Sequence, residues 1–251
     1  RRSGAARRPE GRTRSSPGTD VSASPLVTIV TPSLDQGRFL ADAIESVLGQ
    51  DYPHVEYLIF DGGSTDESAA VAARYGGRLT FVQERDRGQS HAINKGFGCA
   101  RGEIVQWLNA DDWLAPGAIR AVVEAFQRAP AAAAAYGHGH AVDAAGRPAG
   151  EAFRAPVRFD LRRMRRVCDT LAQPSVFLRR AAVLEVGGLD EGLHWSMDWD
   201  LYLRLGSRFA FIPVDRELAV DEALVRLARG EARRGDHLPV RHGADEEREE
   251  H

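Results

Sequence analysis

Along the chain, short β-branched apolar runs alternate with segments whose apolar residues recur at helical spacing. Leu26-Val27-Thr28-Ile29-Val30-Thr31 is the first run, and it predicts a strand buried on both faces. Phe39, Ala43, Ile44, Val47 and Leu48 then repeat with a helical period, and Gly49 closes that segment. The same reasoning predicts strands over 55–60, 79–82 and 103–108, and helices over 67–75, 89–100 and 116–128. Alternation at this spacing defines an α/β class: a Rossmann-like, doubly wound, mostly parallel sheet with right-handed connections. No internal repeat breaks the pattern.

In an open parallel sheet, ligands bind beyond the carboxyl ends of the strands. Three polar clusters fall at such ends: Thr31-Pro32-Ser33, the stretch from Asp61 to Asp66, and Asn109-Ala110-Asp111-Asp112. In QWLNADDWLAP two adjacent carboxylates close an apolar run, and burying them requires partners or a cation. They could cap a helix begun by Pro116, or they could hold a hard divalent cation, which needs only one or two carboxylates when a substrate phosphate and water complete the shell. DGGSTDES is either an ordinary glycine-rich turn or a loop that lets backbone approach an anion at a helix N-terminus. It is not GxGxxG, and no GxxxxGK[ST] occurs, so dinucleotide and Walker-type sites are unsupported. Later, HWSMDWDLYLRL has a helical apolar stripe with Asp198 and Asp200 in its first turn. They either complement the helix dipole or supply a general base.

Composition narrows the partners. With 251 residues and a net charge of -3, the chain can bury a sizeable core and is not a dedicated nucleic-acid binder. Cys99 and Cys168 form no CxxC pair, which fits a reducing compartment. No apolar run approaches the roughly 18 residues that span a bilayer, and no secretory segment is evident, so a cytoplasmic protein is expected. Residues 1–24 and 226–251 are charged and apolar-poor, and both read as disordered tails around a single folded domain over 25–225.

Six segments in order carry a resemblance that covers about Pro25 to Ala219: VTIVTPSLDQGRFLADAIESVLGQDYP, YLIFDGGSTDES, DRGQSHAINKGF, GEIVQWLNADDW, QPSVFLRR and VGGLDEGLHWSMDWDLYLRL. Together they resemble the inverting glycosyltransferases of family 2, which have the GT-A fold. The resemblance implies a nucleotide-sugar half over 25–130 and a smaller acceptor-side half over 131–225. It places Thr31, Pro32, Asp61, Asn94, Lys95 and Asp111 around a nucleotide-diphospho-sugar, UDP- or dTDP-linked, and makes Asp112 the ligand of Mg²⁺ or Mn²⁺. Asp198 matches the catalytic base. Gln173, His194 and Trp195 match the acceptor side, where a glycan or a lipid-linked acceptor would bind.

The chain departs from the family pattern in several places. Asn109 stands where many relatives have Asp, Met197 replaces the Glu before the base, and the usual basic, His-containing tail is absent after Ala219. Those changes keep open a nucleotide-sugar-binding homologue with weak turnover. A sugar-phosphate nucleotidyltransferase is disfavoured, because the loop after the first strand is neither basic nor glycine-rich. Arg158, Arg162, Arg163, Arg165 and Arg166 form either a solvated helix face or a receptor for an anionic acceptor at the inner face of a membrane.

Overall fold

The computed structural model describes residues 24–141, 152–167 and 170–221. Apart from Ser24, both expected tails lie outside the described residues, as does Cys168. Strands β1 (Val27–Ser33), β2 (Val55–Asp61), β3 (Thr80–Gln83), β4 (Ile104–Trp107), β5 (Trp113–Leu114), β6 (Ala132–Ala141), β7 (Val176–Arg179) and β8 (Ala210–Asp221) form one sheet. Its order is β3-β2-β1-β4-β7-β6-β8-β5. The strands of the first half pair in parallel, and among the rest only β7 and β5 run against the others. The helices are α1 (Gly37–Leu48), α2 (Ser68–Ala73), α3 (Gln89–Cys99), α4 (Ala118–Arg128), α5 (Leu161–Val167), α6 (Arg180–Glu185) and α7 (Met197–Gly206).

Alternation along the strands divides the core between two faces. Ile29, Ile59 and Ile104 meet Leu40, Ile44 and Val47 of α1 and Ile119, Val122 and Phe126 of α4. Val30, Leu58, Phe60 and Val105 instead meet Ala92, Ile93 and Phe97 of α3 and Leu201, Tyr202 and Leu205 of α7. Strands buried on both faces account for the continuous apolar runs. One contact is unusually close: a Cβ on Gly96 would lie 2.3 Å from Val30 Cγ1. Only glycine lets α3 pack this tightly on β1.

The structure adjusts some expected boundaries. The helix expected over 67–75 is regular only from Ser68 to Ala73, because Gly76-Gly77 leads into a short 3-10 turn. The helix expected from Pro116 starts at Ala118, after Gly117 takes a left-handed φ of 73°. Before it, Trp113 and Leu114 form β5, paired with Val220 and Ala219 of β8. That pairing joins residues more than a hundred positions apart, which a local pattern cannot show. At β1 the order of strands reverses, with β2 on one side and β4 on the other. The carboxyl ends of those strands form the rim where such folds bind ligands.

Candidate active site

The loops after β1 and β2 are laced into one rim by three carboxylates. Asp61 is almost fully buried; its Oδ1 accepts from the Gly63 and Ser64 amides at 3.1 and 2.7 Å, and its Oδ2 accepts from Ser64 Oγ at 2.5 Å. Ser64 Oγ in turn accepts from the amide of Asp35, a residue held at a left-handed φ of 51°. Asp35 Oδ1 accepts from the Thr65 amide at 2.8 Å. Asp66 accepts from the Gly37 amide at the start of α1 and from the Ser68 amide and hydroxyl. Burial opposes ionisation of Asp66, but these donors outweigh it and hold its carboxyl below the usual range. The Gly-rich loop is therefore a fixed frame.

The acidic turn after β4 is organised by amides. Asn109 Nδ2 donates to Asp112 Oδ2 at 3.0 Å and to Gln173 Oε1 at 3.1 Å. Asn109 Oδ1 accepts from Gln89 Nε2 at 2.8 Å, and Gln173 Nε2 donates to the Trp107 carbonyl at 2.8 Å. The direction is dictated at its end, because a backbone carbonyl only accepts. Gln173 must then present its oxygen to residue 109, and an ionised Asp there could not donate to it. Asn109 is thus matched to Gln173. The helix-cap reading of the acidic pair fails here, since α4 is preceded by Gly117 and has no side-chain cap.

Pro32, Ser33, Leu34, Gln36, Asp86, Gly88, Gln89, Ala92, Asn109, Asp111 and Trp195 enclose a cleft of about 360 Å³. Asp86 reaches it past Gly62, where a Cβ would lie 2.8 Å from Asp86 Oδ2. Sequence reasoning missed Asp86 and Gln89 as lining residues, although both lie in the DRGQSHAINKGF segment. Of the expected donor-side residues, Pro32 and Asp111 line the cleft directly. Thr31 is buried one residue away, with its hydroxyl 3.0 Å from that of Tyr57. Asp112 is buried next to Asp111 and, like Asp61, Gln173, His194 and Asp198, is not among the lining residues.

Asn94 and Lys95 are not among the cleft's lining residues. Asn94 exchanges hydrogen bonds with the Leu189 backbone, donating to its carbonyl and accepting from its amide, both at 2.9 Å. Lys95 pairs with Glu84 at 2.7 Å. Among the described residues no group of three or more His, Cys, Asp or Glu side chains is placed to hold a metal. The donor set of Asp111 and Asp112 fits a cation only as a site completed by substrate oxygens and water.

The opposite edge of the cleft is more open. His194 is exposed and borders a small recess with Arg87, Ser90 and Glu191, while Trp195 is 64% exposed at the cleft mouth. Ser196 takes a left-handed φ of 60°, an unfavourable conformation for a residue with a side chain, and directs the chain into α7. In that first turn the two carboxylates differ. Asp200 is held by Arg204, which also donates to the Val186 and Gly188 carbonyls. Asp198 Oδ1 accepts from the Trp199 amide at 2.8 Å, and the residue is half-buried. Met197 is buried, 2.8 Å from Ser90 Oγ, so the residue replacing the family's Glu packs between α7 and α3. Trp107 of β4 stacks on Tyr202 at 6.2 Å, which ties α7 to the sheet beneath the acidic turn.

This arrangement is that of a GT-A glycosyltransferase. In solved structures, the chain superposes on Staphylococcus aureus TarS in complex with UDP-GlcNAc with a TM-score of 0.62 and 16% identity, over 78% of this chain and 58% of that one. It superposes on the mannosyltransferase PcManGT from Pyrobaculum calidifontis, in complex with GDP-Man and Mn²⁺, with a TM-score of 0.61 and 18% identity, over 84% and 61%. The model of the family described as glycosyl transferase family 2 matches residues 28–184, and the chain belongs to that family. Among curated relatives, the O-antigen biosynthesis protein RfbC of Myxococcus xanthus is 33% identical over 74% of this chain. Chondroitin synthase of Escherichia coli is 25% identical over 72%. The matched region spans only 15% and 26% of those two proteins.

Proposed function

We propose that the chain transfers a sugar from a nucleotide-diphospho-sugar, UDP- or dTDP-linked, to an acceptor hydroxyl in glycan or polysaccharide assembly. The observation that carries this reading is the meeting of the loop after β1, the Asn109-organised acidic turn and Trp195, three residues before Asp198, at one cleft. Pro32 and Asp111 contact the donor. Thr31, Asp61, Asn94 and Lys95 shape and hold the elements around it. Asp112 would hold Mg²⁺ or Mn²⁺, with Asp111 beside it on the sugar side. The chemistry such a cation would supply there is an offset to negative charge developing on the leaving diphosphate.

Asp198 takes the proton of the acceptor hydroxyl. That oxygen forms a bond to the anomeric carbon as the bond to the diphosphate oxygen breaks, and the electron pair leaves with the phosphate. Attack from the face opposite the leaving group inverts the anomeric centre. Gln173, His194 and Trp195 form the acceptor side, and Arg204 keeps Asp200 out of the reaction.

Calorimetry with UDP, dTDP and GDP, each with Mn²⁺, Mg²⁺ or EDTA, tests this reading. One nucleotide is expected to bind in a metal-dependent manner, with binding lost in Asp112→Ala and kept in Asp198→Ala. Absence of binding under every condition would refute the donor assignment.

A further inference from the structure

Away from the donor rim, one surface carries more charge than the transfer reaction uses. Between residues 151 and 169 six arginines stand against three acidic residues. Arg154, Arg158, Arg162, Arg163, Arg165 and Arg166 are all exposed. Asp160, in their midst, accepts from the amides of Arg162 and Arg163 at 2.9 and 3.1 Å, so it caps α5. Val157 projects from the same stretch and is 90% exposed.

The stretch is firmly docked. Phe159 stacks on Phe211 at 4.2 Å, Met164 is fully buried, and the indole of Trp199 donates to the Met164 carbonyl at 2.9 Å. Trp199 follows Asp198 directly, and Trp195, just before α7 begins, is exposed and lines the cleft. The basic stretch is therefore attached to α7, the helix that carries Asp198 and follows His194 and Trp195 in the chain.

A solvated arginine face needs no apolar companion. Here basic charge, an exposed valine and an exposed tryptophan are carried by elements packed on one another. Arginines facing lipid phosphates, with apolar and indole side chains at the headgroup boundary, are the make-up of a surface that meets an anionic bilayer. We propose that residues 154–166, with Trp195, seat the acceptor end of the cleft on an anionic phospholipid membrane. The proposal rests on the acceptor side proposed above and not on the identity of the donor. It places the acceptor among molecules displayed at a membrane surface.

The test is co-sedimentation of the full chain with vesicles of phosphatidylcholine alone or with roughly a third phosphatidylglycerol. Binding is expected only to the anionic vesicles and should weaken with salt. At about five-fold per basic residue near the surface, Arg162→Glu/Arg163→Glu should weaken it by about 30-fold or more. Val157→Asp should weaken it by a smaller factor. An unchanged thermal midpoint shows that the variants fold, and nucleotide calorimetry on the same samples reads the donor site separately. Failure to prefer anionic vesicles would overturn the proposal. So would full binding by the double variant, which would assign the binding to other basic residues such as those at 1–14. Variant-sensitive binding to polyphosphate without vesicle binding would also overturn it, in favour of a soluble polyanionic acceptor.

Discussion

The two edges of the cleft are built differently. On the edge formed by β1, β2 and β4, the carboxylates of Asp35, Asp61 and Asp66 accept from backbone amides, Asp112 accepts from Asn109, and adjacent loops hold one another. On the other edge, His194 and Trp195 are exposed and Ser196 is strained. A rigid frame suits a ligand whose diphosphate and base are shared across many donors. An exposed loop on a fixed scaffold suits the part of recognition that varies. Two anchors join the edges: Asn94 grips the Leu189 backbone from α3, and Asn109 reaches Gln173 from the acidic turn.

The sharpest separation should come from Asp198→Asn. Losing a general base should lower turnover by about 10²–10⁴-fold while nucleotide affinity stays within a few-fold. A parallel loss of donor binding in calorimetry would merge the two edges into one site. Gly96→Val should come next, because it drives a side chain into Val30 and displaces α3, which serves both edges. Overpacking of this kind costs about 1–3 kcal/mol, and Val30→Ala should restore part of it in a denaturant titration. No recovery in the double variant would rule out the Gly96–Val30 contact as the cause.

Asn109→Ala acts at the junction. It removes the Asn109 donor from Asp112 and Gln173, with an expected cost of about 1–3 kcal/mol in stability and weaker metal-dependent nucleotide binding. If only stability changes, the amide chain holds the fold and does not set the site. The smallest effect belongs to Glu56, which lies on β2 far from either edge. Burial opposes its ionisation, but hydrogen bonds from Thr28 and from the Arg101 amide and side chain hold its carboxyl below the ordinary value. A lowered folded-state pKa adds stability that is present above the unfolded value of about 4.3 and is lost as pH falls through the folded one. Glu56→Gln should therefore flatten the fall of thermal midpoint with acid while leaving both edges untouched.

The first half of the fold was legible because its strands and helices alternate locally, and β1 and β2 each pair with the next strand in the chain. Asp61, Asp111 and Asp112 could be placed because topology puts strand ends on one rim. Between residues 131 and 194 no elements were assigned beyond the arginine-bearing helix face. β6 and β7 in that stretch, and β8 after it, pair across long separations, and β5, at 113–114, is too short to show a period. The Asn109–Gln173 link was invisible for the same reason, since it joins side chains 64 positions apart. Asp86 was overlooked because its access depends on the missing side chain at Gly62. The different surroundings of Asp198 and Asp200 depended on where Arg204 points.

The pairing of β5 with β8 bears on how the protein is made. The acidic turn leads directly into Trp113 and Leu114, whose partners are Val220 and Ala219, and the Ala115 amide donates to the Leu218 carbonyl. A ribosome adding about 5–20 residues per second takes on the order of 5–20 s to travel from the turn to those partners. Through that interval the nascent chain has β1 to β4 but not the strand that secures the turn. A chain stalled before Ala210 should be cleaved near residues 109–115 by limited proteolysis, whereas the released protein should resist. The centre of the site is thus encoded early and closed late.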